Sequence, residues 1–411
     1  MQPDLLCIGG EDHSLRIPFL LALRDKGLLI SSAGSGDRAP FARAGLDYHP
    51  IQFARFVDPL SDWSAFNSIA GLIADLGPSL VQCFDTKLNV LVPLAARSLR
   101  DVAVISTING LGWLYSSRSL TALSLRPVYR GLQRLADRST AVTVFQNSDD
   151  QTFFMRHRMV GNGPHVVIPG SGIDIIGFDE AVVAGPSPRV LRDEFGLGTS
   201  EVVMTVTRMT REKGVPTLLE AAAIVHSVRP GVRFLLVGPR ESEGRMAVDQ
   251  AEIERHAPYV MAIGSRPDVP ALLGLADVFA CPTELREGIP RVLLEAAAAG
   301  RPIVATRMPG CTDVIRDGWS GFLVAPHSPR RLAERILDLL RNRDMATKMG
   351  ARAASFVRQE LNLDVTVERY AAVYRQLLDN LVRCQQQVSA DGITDHLSDR
   401  EPHKLFGGRV Q

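Results

Sequence analysis

The stretch Glu287-Gly-Ile-Pro-Arg-Val-Leu-Leu-Glu295, continued by Ala-Ala-Ala-Ala-Gly300-Arg-Pro-Ile-Val-Ala-Thr306, combines two carboxylates, a helix and a buried strand. Pro290 suits the first helical position, where its missing N–H is no loss, and Gly300 suits a left-handed helix stop. We therefore predict a helix over residues 290–299. Glu287 then lies in the loop before this helix, and Glu295 lies one to two turns inside it.

The start of such a helix is suited to anions, because its first amide groups have no partner inside the helix. The amides of residues 288–291, except for Pro290, which has no N–H, would lie between the two carboxylates. A phosphate held there would carry a hydroxyl-rich group on either side, within reach of a carboxylate acceptor. A nucleotide-sugar has this layout of sugar, diphosphate and ribose. Taken alone, a Glu pair at this spacing is more often a helix cap and a solvated side chain.

Short apolar runs alternate with helix-length segments, which is typical of parallel sheets covered by helices on both faces. At 411 residues the chain suits two such α/β domains. The stretch Ala184-Gly-Pro-Ser-Pro188 is the predicted linker between them. The predicted strands are 5–8, 28–31, 80–84, 102–107, 142–145 and 166–168 before the linker, and 202–207, 234–237, 259–263, 278–281, 303–306 and 322–324 after it.

Composition excludes several functional classes. The chain has 46 Lys and Arg against 45 Asp and Glu, so no global field recruits nucleic acid. No apolar stretch approaches the ~18 residues of a membrane span, and no leader-like segment precedes the first strand. The cysteines are scattered, without metal-ligand spacing, and we expect reduced core residues in a cytoplasmic protein. They are Cys7, Cys83, Cys281, Cys311 and Cys384.

Two cations follow directly on a predicted strand. Arg208 and Lys213 come after the strand 202–207, and Gly214 permits a close turn there. Such a pair is suited to a diphosphate leaving group, although two solvated cations are an equally simple interpretation. The chain lacks GxGxxG and GxxxxGK[ST], which weakens the dehydrogenase and phosphate-loop alternatives. It also contains no Asp-x-Asp.

The segment from Glu287 to Glu295 resembles the donor-site signature of retaining glycosyltransferases of family 4, which have the GT-B fold. The likeness extends over about residues 1–380. Within the family, Thr107-Ile-Asn-Gly-Leu-Gly112 and Phe145-Gln-Asn-Ser-Asp-Asp150 look most like the bacterial branch that extends undecaprenyl-diphosphate-linked saccharides. Further segments that resemble the family are Ile168–Asp174, Thr207–Val215, Phe234–Gly238, Ile263–Pro270 and Asp317–Val324.

The resemblance implies two doubly wound Rossmann-like domains that face a central cleft. The first, residues 1–183, would bind the acceptor, and the second, residues 184–362, would bind the nucleotide-sugar donor. A helix over 363–384 would cross back to the first domain. We expect residues 385–411 to form a polar, disordered tail.

The resemblance also implies roles for particular residues. Arg208 and Lys213 would hold the donor diphosphate, Glu287 would meet the sugar hydroxyls, and Glu295 would bind the ribose; the first three are the candidate catalytic residues. Neither a metal nor a cofactor is implied, because the nucleotide-sugar is a substrate and the metal-binding Asp-x-Asp of GT-A transferases is missing. The other candidate donor-binding residues are Gly10, Gly238, Arg266, Gly288, Ile289, Pro290 and Leu294.

The acceptor half departs from the family. Many relatives carry a His where this chain has Asn109, and a Ser-His-Arg-x-Pro segment where it has Ser14-Leu-Arg-Ile-Pro18. No general base is therefore identified, and the departing phosphate oxygen can itself take the acceptor proton. The candidate acceptor-binding residues are His13, Arg16, Asp85, Lys87 and Asn109.

Arginines recur at four-residue spacing in the region from Arg118 to Arg138, while apolar residues, among them Val128 and Leu132, fall on another face. A basic amphipathic helix of this kind is suited to anionic lipid headgroups, although an ordinary surface helix has a similar pattern. The other arginines of this region are Arg126, Arg130 and Arg134.

Together these features predict an enzyme that moves a hexosyl or N-acetylhexosaminyl group from a nucleotide-sugar, expected to be a UDP-sugar, to a lipid-linked saccharide. It would act in bacterial surface polysaccharide biosynthesis, as a cytoplasmic protein bound at the inner face of the cell membrane. Two alternatives remain open. One is a soluble glycosyltransferase with a non-lipid acceptor, and the other is a non-catalytic sugar-nucleotide-binding subunit.

Overall fold

The computed structural model describes residues 2–54, 58–99, 101–117, 119–161 and 163–390. The predicted tail beyond residue 390 and Arg118 of the arginine-rich region lie outside these residues. Within them, no helix combines the length and the apolar character that crossing a bilayer requires.

The chain folds into two compact units, each built on a parallel sheet, which confirms the predicted α/β class with two Rossmann-like domains. Of the described residues, the first unit contains 2–114, 119–171 and 363–390, and the second contains 115–117 and 172–362.

The first unit has a seven-stranded sheet of order β3-β2-β1-β4-β5-β6-β7 in which every neighbouring pair is parallel. Its strands are β1 (Leu5–Gly9), β2 (Ile30–Gly34), β3 (Asp47–Pro50), β4 (Leu80–Phe84), β5 (Ala103–Ile108), β6 (Val142–Phe145) and β7 (His165–Val167). The helices along residues 17–156 are α1 (Ile17–Asp25), α2 (Ala39–Arg43), α3 (Pro59–Leu76), α4 (Leu88–Ala96), α5 (Gly112–Ser116), α6 (Leu120–Asp137) and α7 (Ser148–Arg156).

Helices cover both faces of this sheet, because its strands alternate apolar side chains toward two separate cores. Leu6 and Ile8 of β1 pack with Ile69 of α3 and Val92 of α4 on one face. The opposite core contains Leu5 with residues of α1 and α2. Buried free thiols lie in both units, at Cys7, Cys83, Cys281 and Cys311.

The second unit has a six-stranded parallel sheet of order β10-β9-β8-β11-β12-β13. Its strands are β8 (Glu201–Val206), β9 (Val232–Val237), β10 (Val260–Ala262), β11 (Val278–Cys281), β12 (Ile303–Thr306) and β13 (Phe322–Val324). Its helices are α8 (Ile175–Ala184), α9 (Pro188–Glu194), α10 (Val215–Val228), α11 (Gln250–Glu254), α12 (Val269–Leu272), α13 (Arg291–Ala298), α14 (Cys311–Val314), α15 (Pro329–Arg341) and α16 (Arg343–Glu360).

The last helix, α17 (Leu363–Ala390), belongs to the first unit. Tyr370 and Tyr374 are buried in the core beside α1. The hydroxyl of Tyr374 donates to Gln82 of β4 over 3.0 Å, and the hydroxyls of Tyr370 and Thr107 are 3.2 Å apart. The predicted helix end at residue 384 is wrong, because the helix continues for six residues into the segment that we expected to be disordered.

The predicted domain boundary after residue 183 is also wrong. Residues 172–183 belong to the second unit, since Phe178 of α8 shares a core with Leu272 of α12. The sequence analysis also missed β3, whose four residues are mostly polar, and placed β2 two residues early. Ser31 and Ser32 are buried within β2, so an apolar pattern does not mark that strand.

Candidate functional site

Most of the candidate donor-site residues lie at one edge of the second unit's sheet. Arg208 and Lys213 follow β8, Gly238 follows β9, and Glu287 lies in the loop after β11. Because the carboxyl ends of parallel strands meet at the same edge, the topology brings these distant segments together, and such edges are where doubly wound sheets bind ligands.

The central contact joins Lys213 to Glu287. The ammonium nitrogen of Lys213 donates to both carboxylate oxygens of Glu287, at 2.8 and 2.6 Å. Gly214, with φ +72°, makes this approach possible, because a Cβ there would lie 1.9 Å from the carbonyl oxygen of Pro282. The turn that carries the lysine therefore packs directly against the backbone of the loop that carries the glutamate.

Further groups that the sequence analysis missed hold this loop in place. The hydroxyl of Thr283 donates to Glu287 Oε1 over 2.9 Å, and the hydroxyl of Thr306 donates to the carbonyl of Thr283. Gly310, at φ +83°, lies so close that its Cβ would be 1.8 Å from the carbonyl oxygen of Gly288. A short polar residue directly after a buried strand was the available signal for Thr283. Gly310 had no comparable signal.

Arg208 lies beside a carboxylate that we had not predicted. Its Nη1 donates to Glu243 Oε2 over 2.9 Å. Gly238 lies next to it, with φ +141°, where a Cβ would be 1.9 Å from the carbonyl oxygen of Thr207. The backbone after β8 and the backbone after β9 are therefore in close contact next to Arg208.

The helix α13 begins one residue later than predicted. Pro290 has an extended backbone and is the N-cap, and its carbonyl accepts from the amides of Leu293 and Leu294. Glu295 forms an ion pair of 3.0 Å with Arg291, yet burial raises the pKa of its carboxyl above the ordinary value. The side chains of Leu294 and Ile289 are part of the core, so only their backbone groups remain for a ligand.

Arg266 forms ion pairs with carboxylates of the second unit. It forms a two-point contact with Asp268 at 2.8 and 2.7 Å and a third bond to Glu194. The hydrogen bonds to Asp268 raise the pKa of Arg266, and the same contact lowers the pKa of Asp268. A role for Arg266 in donor binding would therefore use its backbone or the outer face of its guanidinium.

In the first unit, Gly10 and Asp85 are in direct contact. The amide of Gly10 donates to Asp85 Oδ2 over 2.8 Å, across the ends of the neighbouring strands β1 and β4. Asp85 has φ +79°, which is uncommon for a residue other than glycine. The structure thus joins one residue predicted for the donor site with one predicted for the acceptor site.

His13 is fully buried beside these strand ends. Its ring fills the space in front of Gly9, where a Cβ would lie 2.2 Å from Nδ1, and it packs against Phe41. Burial and, secondarily, the charge of Arg16 lower the pKa of His13 to about 3. The guanidinium of Arg16 lies 4.2 Å from the ring centre of Phe84. Since His13 is neutral and enclosed, it does not reach an acceptor in this conformation.

The two remaining acceptor candidates differ in their surroundings. Lys87 donates to Asp62 over 2.5 Å and to the carbonyl of Ala54 over 2.6 Å, so its charge is engaged. Asn109 follows β5, and its buried Oδ1 has no hydrogen-bond partner among the residues that the structure describes. Asn109 therefore keeps an acceptor oxygen that no described residue uses.

The arginine-rich helix α6 does not have the predicted faces. Arg126 and Arg130 are half-buried, and Arg126 Nε donates to the carbonyl of Leu114 over 2.9 Å. Val128 and Leu132, which we placed on the apolar face of the helix, are exposed. The exposed apolar residues of α6 are Leu120, Leu123, Val128 and Leu132, and Arg134 and Arg138 are exposed on the same helix and at its end.

The chain is similar in sequence and in fold to known glycosyltransferases. Residues 189–356 match the model of the family described as glycosyl transferases group 1. This match covers α9 to α16 and includes Arg208, Lys213, Glu287 and Glu295. In the described residues, no group of three or more His, Cys, Asp or Glu side chains is arranged to hold a metal ion.

One relative is the N,N'-diacetylbacillosaminyl-diphospho-undecaprenol alpha-1,3-N-acetylgalactosaminyltransferase of Campylobacter jejuni, 24% identical over 91% of this chain and 98% of the relative. Another is the UDP-Gal:alpha-D-GlcNAc-diphosphoundecaprenol alpha-1,3-galactosyltransferase of Escherichia coli, 24% identical over 66% of this chain and 68% of the relative. Among solved structures, Anabaena HepE in complex with UDP is similar, with a TM-score of 0.74, 18% identity, and coverage of 91% of this chain and 100% of that chain. Residues 189–356 therefore resemble glycosyl transferases group 1, and the chain has the GT-B fold of the solved structure.

Proposed function

We propose that the protein transfers a hexosyl or N-acetylhexosaminyl group from a UDP-sugar to a saccharide on undecaprenyl diphosphate, with retention of configuration and without a metal or cofactor. The product would serve in bacterial surface polysaccharide assembly. The observation that carries this proposal is the contact of Lys213 with Glu287 at the carboxyl edge of the second sheet.

This contact supplies the two charges that glycosyl transfer from a nucleotide needs. A leaving diphosphate gains negative charge as the glycosidic bond breaks, and a fixed ammonium group stabilises that charge. Glu287 keeps Lys213 in position, and its carboxylate can accept hydrogen bonds from sugar hydroxyls. Arg208, at the end of the same strand, adds a planar donor suited to phosphate oxygens.

Retention and metal independence are parts of this proposal, and the following residues support them. With Arg208 and Lys213 on the diphosphate, no divalent ion is required to neutralise it. Among the acceptor candidates, His13 is enclosed and neutral, Asn109 is not a base, and the carboxylate of Asp85 accepts from the amide of Gly10. The departing phosphate oxygen would therefore take the acceptor proton on the face that it leaves, so that the new bond forms on that same face.

The relatives support the choice of donor and acceptor. Both named transferases carry diphospho-undecaprenol acceptors in their names, and the Escherichia coli enzyme carries a UDP-sugar. The acceptor's lipid tail would remain in the bilayer. The exposed apolar residues of α6, accompanied by Arg134 and Arg138, suit the interface of an anionic membrane, so we propose that the enzyme works at the cytoplasmic face.

The test is a transfer assay with purified protein, a panel of UDP- and GDP-sugars, and undecaprenyl-diphosphate-linked mono- and disaccharides. Mass spectrometry of the lipid product would identify the transferred sugar, and NMR would give its anomeric configuration. Transfer to a water-soluble sugar alone would support the soluble alternative. Nucleotide binding without transfer to any acceptor, and without donor hydrolysis, would contradict catalysis and support a binding subunit.

A further inference from the structure

The carboxylate of Glu243 is hydrogen-bonded to the guanidinium of Arg208, the group that we assign to the donor diphosphate. The chain leaves β9, forms a short 3₁₀ segment from Glu241 to Met246, and places Glu243 Oε2 at 2.9 Å from Arg208 Nη1. The side chain of Glu243 is only 6% exposed, whereas that of Glu241, two residues earlier, is 79% exposed. The segment thus directs one particular glutamate inward.

Backbone hydrogen bonds anchor this segment on both sides of Glu243. The amide of Met209 donates to the carbonyl of Pro239 over 2.8 Å, and the amide of Val248 donates to the carbonyl of Met209 over 2.8 Å. Between these anchors, Gly244 interrupts the helical backbone with φ +53°. The loop is therefore held against the residue that follows Arg208, while the stretch carrying Glu243 has a local bend at which its backbone can change direction.

Glu243 and a diphosphate require the same partner. Both are anions, and both would be placed at the guanidinium of Arg208. Because Glu243 is almost entirely enclosed, little water is available to screen the repulsion between the two negative groups. A diphosphate that takes Arg208 Nη1 as its donor has to displace this carboxylate from it.

We propose that Glu243 is an affinity-determining residue of the donor site, because its carboxylate competes with the donor diphosphate for Arg208. The inference rests on the proposed function, which assigns Arg208 to that diphosphate. In the ligand-free protein Glu243 binds Arg208, and displacing it reduces the apparent affinity for every ligand that takes this arginine.

The experiment is calorimetric titration of UDP and of inorganic pyrophosphate into the parent protein, Glu243→Gln and Glu241→Gln. Glu241→Gln is the matched control, since it removes one negative charge from the same segment without touching Arg208. We expect Glu243→Gln to bind both ligands about tenfold more tightly than the parent. Glu241→Gln should change affinity by less than about twofold, because its charge is screened by solvent.

A second pair of variants tests whether the gain depends on the arginine. In an Arg208→Ala background, adding Glu243→Gln should not increase the affinity for UDP or pyrophosphate, because the guanidinium for which the two anions compete is absent. A gain of the same size in that background would overturn the proposal. If Glu243→Gln does not fold, as judged by its melting temperature, Glu243→Ala replaces it in the same titrations.

The outcomes separate this inference from the proposed function. If the parent binds UDP and Glu243→Gln binds it equally or more weakly, the competition is wrong while the assignment of the donor site stands. If no variant binds UDP or pyrophosphate, the donor assignment fails and this inference fails with it. Tighter binding by Glu243→Gln that disappears with Arg208→Ala supports both.

Discussion

The ammonium group of Lys213 bridges the two carboxylate oxygens of Glu287, which lies 74 residues further along the chain. Both side chains are mostly shielded from solvent. Each charge is therefore satisfied in the free protein, and Thr283 gives the glutamate an additional donor. A diphosphate arriving at this edge would share the lysine with the glutamate, so the pair fixes the direction in which the lysine presents its protons.

Replacement of Lys213 should reduce catalysis while the protein still folds. We expect Lys213→Ala to lower turnover at saturating donor roughly a hundredfold or more, because a cation on the leaving diphosphate is lost. The melting temperature should fall by only a few degrees, since Thr283 still binds Glu287. Lys348→Ala, which breaks a surface pair with Asp344, is the control and should leave turnover unchanged. Near-parental turnover of Lys213→Ala would show that this lysine does not stabilise the leaving group.

Replacement of Glu287 and replacement of Glu295 should have different effects on transfer and on UDP binding. Glu287→Gln should reduce transfer strongly while UDP binding changes little, because its expected partner is the sugar. Glu295→Gln should weaken the affinity for UDP, because its expected partner is the ribose. Calorimetry with UDP and a transfer assay distinguish the two. Glu284→Gln serves as the control, since Glu284 lies in the same loop but binds Thr217 and His327. Equal losses of UDP affinity in both variants would contradict the assignment.

Activity should largely survive excess EDTA. The reason is that Arg208 and Lys213 supply the positive charge that a divalent ion supplies in metal-dependent transferases. The assay compares turnover before chelation, after chelation, and after addition of magnesium or manganese. Complete loss with EDTA and recovery with either metal would mean that a metal performs the role that we assign to these two side chains.

The exposed apolar side chains of α6 should control binding to membranes. Leu120 is 86% exposed and Val128 is 56% exposed, so Leu120→Gln with Val128→Gln should reduce partitioning to anionic liposomes without unfolding the protein. Val183→Gln is the control, because Val183 is also 86% exposed but lies in the second unit.

Variants of α6 can separate the contribution of charge to liposome binding from that of apolar side chains. Arg138→Glu should weaken liposome binding at low salt, and this effect should fade at high salt because the attraction is screened over about a Debye length. The weaker liposome binding of the Leu120→Gln, Val128→Gln variant should persist at high salt. Sedimentation with liposomes measures both. Unchanged sedimentation of all α6 variants would favour a soluble acceptor.

His13 should make the first unit sensitive to acid. Its pKa is about 3 in the folded protein against an ordinary 6.5, so below pH 6.5 the unfolded chain binds a proton that the folded chain does not. Stability from this residue is therefore complete above pH 6.5 and falls as the pH approaches 3, by roughly 2 kcal/mol at pH 5. His13→Gln should flatten this part of the profile in urea unfolding between pH 7 and 5. His327→Gln, on the second unit's surface, should not. An unaltered profile for His13→Gln would show that the ring is accessible to protons.

Much of the fold could be read from the sequence. Buried parallel strands such as β11 and β12 are short continuous apolar runs, and their limits were predicted to the residue. The strands that were missed or shifted, β3 and β2, contain polar residues whose burial depends on neighbouring elements. The boundary at residue 172 was not visible, because the packing of Phe178 on Leu272 leaves no compositional mark in either segment.

The candidate site was predictable wherever residue type and spacing imply chemistry. Two glutamates around a helix start, and two cations after a strand, are local sequence features, and they indicated the donor site. The partners of those residues were not indicated. Glu243 lies in a segment without an apolar pattern, next to the non-helical backbone of Gly244.

By itself, then, the sequence determined the α/β class, the group of chemically suited side chains and the likeness to glycosyltransferases, because periodicity, helix signals and residue chemistry are local properties. Only the tertiary structure decided which charges meet. The pairing of Lys213 with Glu287, the carboxylate of Glu243 on Arg208 and the enclosure of His13 all depend on contacts between segments far apart in the chain. Such contacts follow from strand order and backbone packing, which glycines such as Gly214 permit and which no local pattern encodes.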